Sequence, residues 1–367
     1  AGDIMLVSTK PGSKPRKVMI QAYADEKTNS KKKVSYTSSA TEFAMSPKDE
    51  KHFAFVVRGE IFLKGVSSSG STTRLTNSPA NDHGIAWAPD SSKLFFLSDR
   101  SGHEEIYRLE GNDPRTKTFT SSKRFRVTRI PNTRGASGMM VSPDGKIVSY
   151  LKDGKLWGMN PDGTNNRPLV NEAVIVDYDW SPDSKWLVYS RMDGSFATEL
   201  YIVPTRGGKA VNVTRYSTSN VGVTWSKTGN KLAFRSQRPS TTNIYVLSLQ
   251  KPAAKGAPSS SAIDFERIHH RVKSPTSMTV GQCAISRDGS KVAFSATSAG
   301  KTELWVVGSS GGTVTKLTSD NSKPSQITWS KRSSSVLYFK NGSGQIKMCR
   351  LPSVLKKTST VATIPFK

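Results

Sequence analysis

Apolar residues along this chain come in short blocks such as Phe53 to Val57 and Leu94 to Leu97, the length of buried strands and too short for buried helices. Each block is tied to a turn signal. Trp180-Ser-Pro-Asp-Ser-Lys-Trp-Leu-Val-Tyr-Ser190 recurs as Trp87-Ala-Pro-Asp-Ser-Ser-Lys-Leu-Phe-Phe-Leu-Ser98 and as Val141-Ser-Pro-Asp-Gly-Lys-Ile-Val-Ser-Tyr150. Looser copies begin at Met45, Trp225, Ile285 and Trp329. An apolar strand ends at the Trp or its substitute, Ser-Pro-Asp-Gly turns the chain, and the following residues start a second strand with alternating burial.

The Ser of the motif, Ala in one copy, falls at 46, 88, 142, 181, 226, 286 and 330, at intervals of 42, 54, 39, 45, 60 and 44 residues. A repeat of about 40–45 residues is the length of four short antiparallel strands, one blade of a propeller. A third strand follows in most copies, as Glu105-Ile-Tyr107, Lys155-Leu-Trp157, Glu199-Leu-Tyr201, Asn243-Ile-Tyr245 and Glu303-Leu-Trp305. The fourth ends in Arg74-Leu-Thr76, Arg126-Val-Thr128, Asn212-Val-Thr214 or Lys316-Leu-Thr318. The fold expected is all-β, a single β-propeller of four-stranded antiparallel blades. Seven blades are expected, with six or eight left open by the weakness of the first and last copies.

Residues 38–367 are expected to form the propeller. The two long intervals place loop insertions at 110–124 and 250–261, solvent-exposed because the repeat resumes in phase after each. Residues 1–37 contain strand-like pieces, Asp3 to Val7 and Lys17 to Ala22, expected to pair with the last blade and close the ring. The N-terminus has neither an initiator Met nor a basic-then-apolar signal segment, which suggests a processed or excised chain. No transmembrane segment is expected, since no stretch approaches about 20 apolar residues.

Charge changes this picture most. Lys and Arg number 54 against 28 Asp and Glu, a formal net charge of +26. So basic a surface attracts polyanions, whether nucleic acid, envelope polymer or an acidic assembly partner. The basic residues are dispersed, however, and are not interleaved with aromatics as in a single-strand-binding platform. Cys283 and Cys349 sit in strand contexts and make no disulfide framework.

Catalytic chemistry is not expected, and neither is a metal or cofactor. The literal Gly308-Ser-Ser-Gly-Gly312 string lies between strands of one blade and reads as a hairpin turn, because no helix follows it. The histidines 52, 83, 103, 269 and 270 match no ligand spacing, and His269 and His270 would point to opposite faces of an extended segment. Asp177-Tyr-Asp179 is a carboxylate pair at the start of an inner strand, read as strand-edge hydrogen bonding. Trp87, Trp180, Trp225 and Trp329 hold equivalent repeat positions, so they are wedges between blades and not a base-stacking surface. A functional surface is expected at the channel mouth, where residues leading into the inner strands converge: Glu42, His83, Ser137, Asp177, Asn220, Gly281 and Ser325.

The motif resembles the TolB-type propeller repeat, and nearly the whole chain resembles the propeller region of bacterial tricorn-like serine peptidases. More specific than Ser-Pro-Asp-Gly are Ala54-Phe-Val-Val-Arg-Gly-Glu-Ile-Phe62, Arg74-Leu-Thr-Asn-Ser-Pro79, Leu97-Ser-Asp-Arg-Ser-Gly102, and Ile263-Asp-Phe-Glu-Arg-Ile268 followed by Arg271-Val272. The resemblance implies a substrate-access or docking domain without the peptidase core. Such a domain binds a protein or peptide partner through a propeller face or its channel. It also implies a periplasmic or cell-envelope location, a cytoplasmic one remaining open; the residues do not address oligomeric state. The chain departs from the family in carrying Lys48, Lys227, Arg287, Lys331 and Arg332 around its turns. The alternative is a strongly basic structural or polyanion-binding propeller.

Overall fold

The computed structural model describes residues 4–19, 34–67, 72–171, 174–238, 240–251, 262–352 and 359–366. It divides into two units, residues 1–35 and 36–367. In the first, Met5–Leu6 pairs antiparallel with Arg16–Lys17. Met5–Leu6 belongs to the first of the two expected strand-like pieces, and Lys17 begins the second. Residues 20–22, half of the second expected piece, lie outside the described residues.

The second unit contains seven four-stranded antiparallel sheets, each built from one continuous stretch of chain. Their innermost strands are Glu42–Met45 (blade 1), Asp82–Trp87 (blade 2), Ser137–Val141 (blade 3), Ile175–Trp180 (blade 4), Asn220–Trp225 (blade 5), Cys283–Ile285 (blade 6) and Ser325–Trp329 (blade 7). The outermost strand of blade 7, Thr360–Ile364, comes from its own stretch. Blades 7 and 1 meet without a shared sheet: Val336, Tyr338, Ile346, Ile364 and Phe366 share one buried cluster with Ala40, Phe43, Phe53, Phe55 and Val57, and the Ser39 and Ala40 N–H groups donate to the Ser343 and Gly344 carbonyls at 2.8 and 3.0 Å.

The repeat motif folds for a local reason. The motif Ser is buried, and in blades 3, 4 and 6 its hydroxyl donates to the Asp two residues on, at 2.6–2.7 Å. It also accepts the N–H of the first residue of the next strand in blade 4, Trp186, at 2.9 Å. That closes the turn without leaving a buried hydroxyl unpaired. Blade 7 has Arg332 where the Asp would stand. Ser330 instead donates to Glu50 of blade 1 at 2.6 Å, and the Lys331 N–H donates to the same carboxylate at 2.6 Å. The departure in the last copy is thus a ring-closing contact.

Arg-Leu-Thr has a similar logic. Thr76 donates to buried Glu60 at 2.7 Å and Thr318 to buried Glu303 at 2.6 Å, tying the outer edge of a blade to its third strand. The repeated Trp residues are interblade wedges: Trp87 Nε1 donates to the Ala44 carbonyl at 3.0 Å and Trp329 Nε1 to that of Ala284 at 2.9 Å, each in the preceding blade.

Most of the 110–124 insertion is exposed, but it is pinned at one point. Glu110 and Gly111 finish a strand, and Phe119 opens a short 3-10 turn, Phe119–Ser121. Its ring is buried, edge-on to Trp87 at 5.2 Å and 5.2 Å from Phe125. One aromatic in an otherwise polar stretch was enough to anchor it to the core. Residues 252–261 of the other insertion lie outside the described residues.

Candidate functional site at the centre of the ring

The inner strands converge on the ring axis and are joined by side chains that reach from one blade to the backbone of the next. Glu42 accepts the Ile85 N–H at 3.2 Å, Asp179 that of Trp225 at 2.7 Å, Gln282 that of Gln326 at 2.8 Å and Gln326 that of Phe43 at 3.2 Å. Asp177 accepts the Gly222 N–H in the same way. The positions four before the motif Ser carry Glu42, Gly84, Gly138, Asp177, Gly222, Gln282 and Gln326. In blades 2, 3 and 5 this glycine sits at a register shift with φ between +55° and +66°. A Cβ at Gly84 would lie 2.8 Å from Leu97 Cδ1, so both the conformation and the space call for glycine.

The seven residues expected at the channel mouth divide. Glu42 and Asp177 are the hooks just described, and burial raises both carboxyls above their ordinary range. His83 is half-exposed, with Nε2 3.1 Å from the Glu104 carboxylate. Ser137 and Ser325 donate to carbonyls of their own second strands, those of Leu151 and Lys340. The Gly281 carbonyl accepts from Arg235.

Asn220 does not belong on an accessible surface: it is fully buried, and its amide donates to the carbonyls of Tyr216 at 2.9 Å and Thr218 at 3.2 Å. Its position in the repeat is that of Asp82, which is also buried and grips Arg100 with both oxygens at 2.7 Å. The alignment slipped because the inner strands start anywhere from three to six residues before the motif Ser or Ala.

A cavity of about 690 Å³ lies on the ring axis at the other end of the inner strands, and none of the seven expected residues lines it. Every blade contributes the residue that follows its motif Ser or Ala: Pro47, Pro89, Pro143, Pro182, Lys227, Arg287 and Lys331. Four prolines thus form one arc of the rim and three cations the other. Deeper in, the wall is largely apolar, with Phe43, Met45, Ile85, Met139, Met140, Ile327 and three of the Trp wedges, Trp87, Trp180 and Trp329. Apolar walls with a few convergent polar groups are the usual make-up of a binding cavity, and this volume falls in the usual range.

The charged groups in the cavity face one another. Asp179 is held above its ordinary range by burial, against the pull of Lys227 and its hydrogen bonds to the Trp225 and Trp180 N–H groups. Lys331 is solvent-accessible yet walled by protein, and desolvation together with repulsion from Lys227 lowers it to about 8. Glu50 and Asp179 pull it the other way. Among the described residues neither Lys227 nor Lys331 makes an ion pair through its ammonium, while Arg287 Nε donates to the Lys331 carbonyl at 2.9 Å. This ring column was present in the repeat alignment. Its three cations are among the turn residues in which the chain departs from the family, but nothing in a single repeat shows that they meet.

Other motifs resolve locally. Gly308-Ser-Ser-Gly-Gly312 is a hairpin turn, with the Gly311 N–H donating to the Gly308 carbonyl at 2.9 Å. His269 and His270 do not face opposite ways: they lie in a 3-10 turn, Ile268–Arg271, with ring centroids 4.2 Å apart. Among the described residues, no group of three or more His, Cys, Asp or Glu side chains is placed to hold a metal ion. Among the same described residues, no helix is long and apolar enough to cross a membrane.

Comparison with known proteins agrees with this architecture. A family model described as the TolB beta propeller domain matches residues 148–352, more than half of the chain. An uncharacterised protein of Agrobacterium fabrum is 26% identical over 129 residues, 34% of this chain and 44% of that protein. The Tol-Pal system protein TolB of Anaeromyxobacter dehalogenans is 30% identical over 94 residues, 24% of this chain and 19% of that protein. The chain therefore spans less than half the length of these curated relatives. Among solved structures, tricorn protease gives a TM-score of 0.65 at 15% identity, covering 96% of this chain and 37% of that one. The β-propeller domain of Myceliophteria thermophila Cps50 (Swd1) gives 0.60 at 13% identity, covering 85% and 96%. At such identities the likeness is one of fold.

Proposed function

The chain belongs to the TolB β-propeller family, and on that premise we propose that it is a non-catalytic binding domain that takes an extended peptide or protein segment into its axial cavity. The observation that carries this reading is the cavity itself, walled by all seven blades, apolar within and charged on one side of its rim. An extended segment suits such a site because its side chains reach apolar walls while its backbone hydrogen-bonds to the ring. A substrate-access role beside a peptidase, as the resemblance to tricorn protease suggests, is one form of this activity, and a periplasmic or envelope location accords with it.

The test is a titration of the purified chain against a mixed peptide library and, separately, against heparin and DNA, each at low and high salt. Peptide binding that survives high salt supports the reading. The net charge of +26 favours a second one, a polyanion-binding structural propeller. Binding to heparin or DNA that collapses with salt, with no peptide bound, would establish that one instead. Peptide hydrolysis by the pure chain would refute the non-catalytic assignment.

A further inference from the structure

The seven-membered rim is asymmetric in a way that assigns a polarity to whatever occupies it. Lys227, Arg287 and Lys331 come from blades 5, 6 and 7, which are neighbours, so the three cations form one continuous arc facing the four prolines. Resting on the peptide-binding reading, we propose that this arc is a carboxylate subsite that holds an acidic side chain or the C-terminal carboxylate of a bound peptide, while the apolar neighbours of that group lie against the proline arc.

Three observations converge on it. The cations are under-compensated: of the two carboxylates in the cavity wall, Glu50 is engaged by the Ser330 hydroxyl and the Lys331 N–H, and Asp179 by the N–H groups of Trp180 and Trp225. Arg287 is oriented, since its Nε is tied to the Lys331 carbonyl, which leaves the two terminal nitrogens of its planar fork to meet a carboxylate. Lys227 and Lys331 repel each other across a partly desolvated space, and an anion between them relieves that repulsion. Proline at the same place in the other blades has no N–H and no side-chain donor, so it offers nothing to an anion and a smooth apolar contact to its neighbours. The groups facing Lys331 from other blades are Lys227, Glu50 and Asp179.

The experiment uses the full chain and three capped pentapeptides of sequence Ala-Leu-X-Leu-Ala. One has X = Glu and a C-terminal amide, one has X = Gln and an amide, and one has X = Gln with a free C-terminus. Binding is followed by calorimetry, and occupancy by protection of Lys331 and Lys227 from acetylation, read by mass spectrometry; inorganic phosphate is run alongside. The expected result is that one or both carboxylate peptides bind about 10–100-fold more tightly than the uncharged one, as charge-assisted hydrogen bonds allow, and protect both lysines. Which of the two binds distinguishes a side-chain from a terminal carboxylate.

The triple variant K227Q/R287Q/K331Q should abolish the difference while still binding the uncharged peptide, and K209Q/K301Q, which removes charge outside the cavity, should preserve it; circular dichroism checks that both fold. Equal binding of all three peptides would overturn the subsite and leave the peptide reading standing. Protection of the lysines by phosphate with no peptide bound would overturn both.

Discussion

The side-chain carbonyl of Gln326 accepts the backbone N–H of Phe43 at 3.2 Å, joining the inner strand of the last blade to that of the first across 283 residues of chain. The ring's closure combines such side chains, Gln326 at the axis and Glu50 further out, with backbone hydrogen bonds from Ser39 and Ala40 to Ser343 and Gly344.

Replacing Gln326 with Leu should lower unfolding stability by about 0.5–1.5 kcal/mol, the usual net worth of one hydrogen bond. Glu50→Ala should be worse, about 1.5–3 kcal/mol or more, because a charged acceptor is lost from both the Ser330 hydroxyl and the Lys331 N–H. Urea titration of the two variants measures both. Equal effects would mean that Glu50 contributes no more to closure than a neutral acceptor.

In blade 2, Asp82 is fully buried and grips Arg100, which lies over the rings of Phe96 and Tyr107. Asp82→Ala strands a partly buried guanidinium and should cost about 3–5 kcal/mol. Chemical denaturation is the measurement, and a loss below about 1 kcal/mol would show that the pair is solvated in the folded protein.

Trp329 wedges between blades 6 and 7, with its indole bonded to the Ala284 carbonyl. Trp329→Ala should cost about 3–5 kcal/mol, and Trp329→Phe, which keeps an aromatic ring but not the donor, should cost less. The comparison of their urea midpoints separates packing from the hydrogen bond.

Cys283 and Cys349 are both buried free thiols, raised by burial to about 12 and about 11. Neither should react with a disulfide reagent at pH 8 in the folded protein, because the nucleophile is the thiolate. Two thiols should appear on unfolding in denaturant, and rapid native-state labelling of either would contradict its placement.

Lys331 supplies a pH dependence with a definite sign. Its folded value is lowered to about 8, so between that pH and its unfolded range near 10.4 the unfolded chain binds the extra proton and this group's contribution to stability rises with pH. Below pH 8 the desolvated ammonium is fully destabilising. Lys331→Met should therefore raise Tm at pH 7, with the gain over the unsubstituted protein shrinking toward pH 10. A gain independent of pH would show that the ammonium is not the cause.

The repeat by itself determined the fold: a motif spaced at blade length, with its own Ser–Asp lock and its own wedge, builds a sheet from local contacts, so periodicity pointed to seven blades, while the weak first and last copies left six or eight open until the sheets were in place. Residue roles that depend on one blade were legible for the same reason, as with the Gly308–Gly312 turn, and the Trp wedges, which reach the neighbouring blade, were legible because they recur in one column of the repeat. Roles that join two blades without such recurrence were not. Glu50 and Ser330 are 280 residues apart, and nothing local marks Glu50 as the missing Asp of the seventh copy. Asn220 was placed on the surface although it stands two residues before the Glu42 and Asp177 position of the repeat and at the place of buried Asp82, because the strand starts vary from blade to blade and give no fixed mark to align on. The end of the ring that holds the cavity was likewise decided by tertiary structure. Closing the ring brings seven distant turn residues into one rim, where four prolines and three cations acquire a geometry that none has in its own repeat.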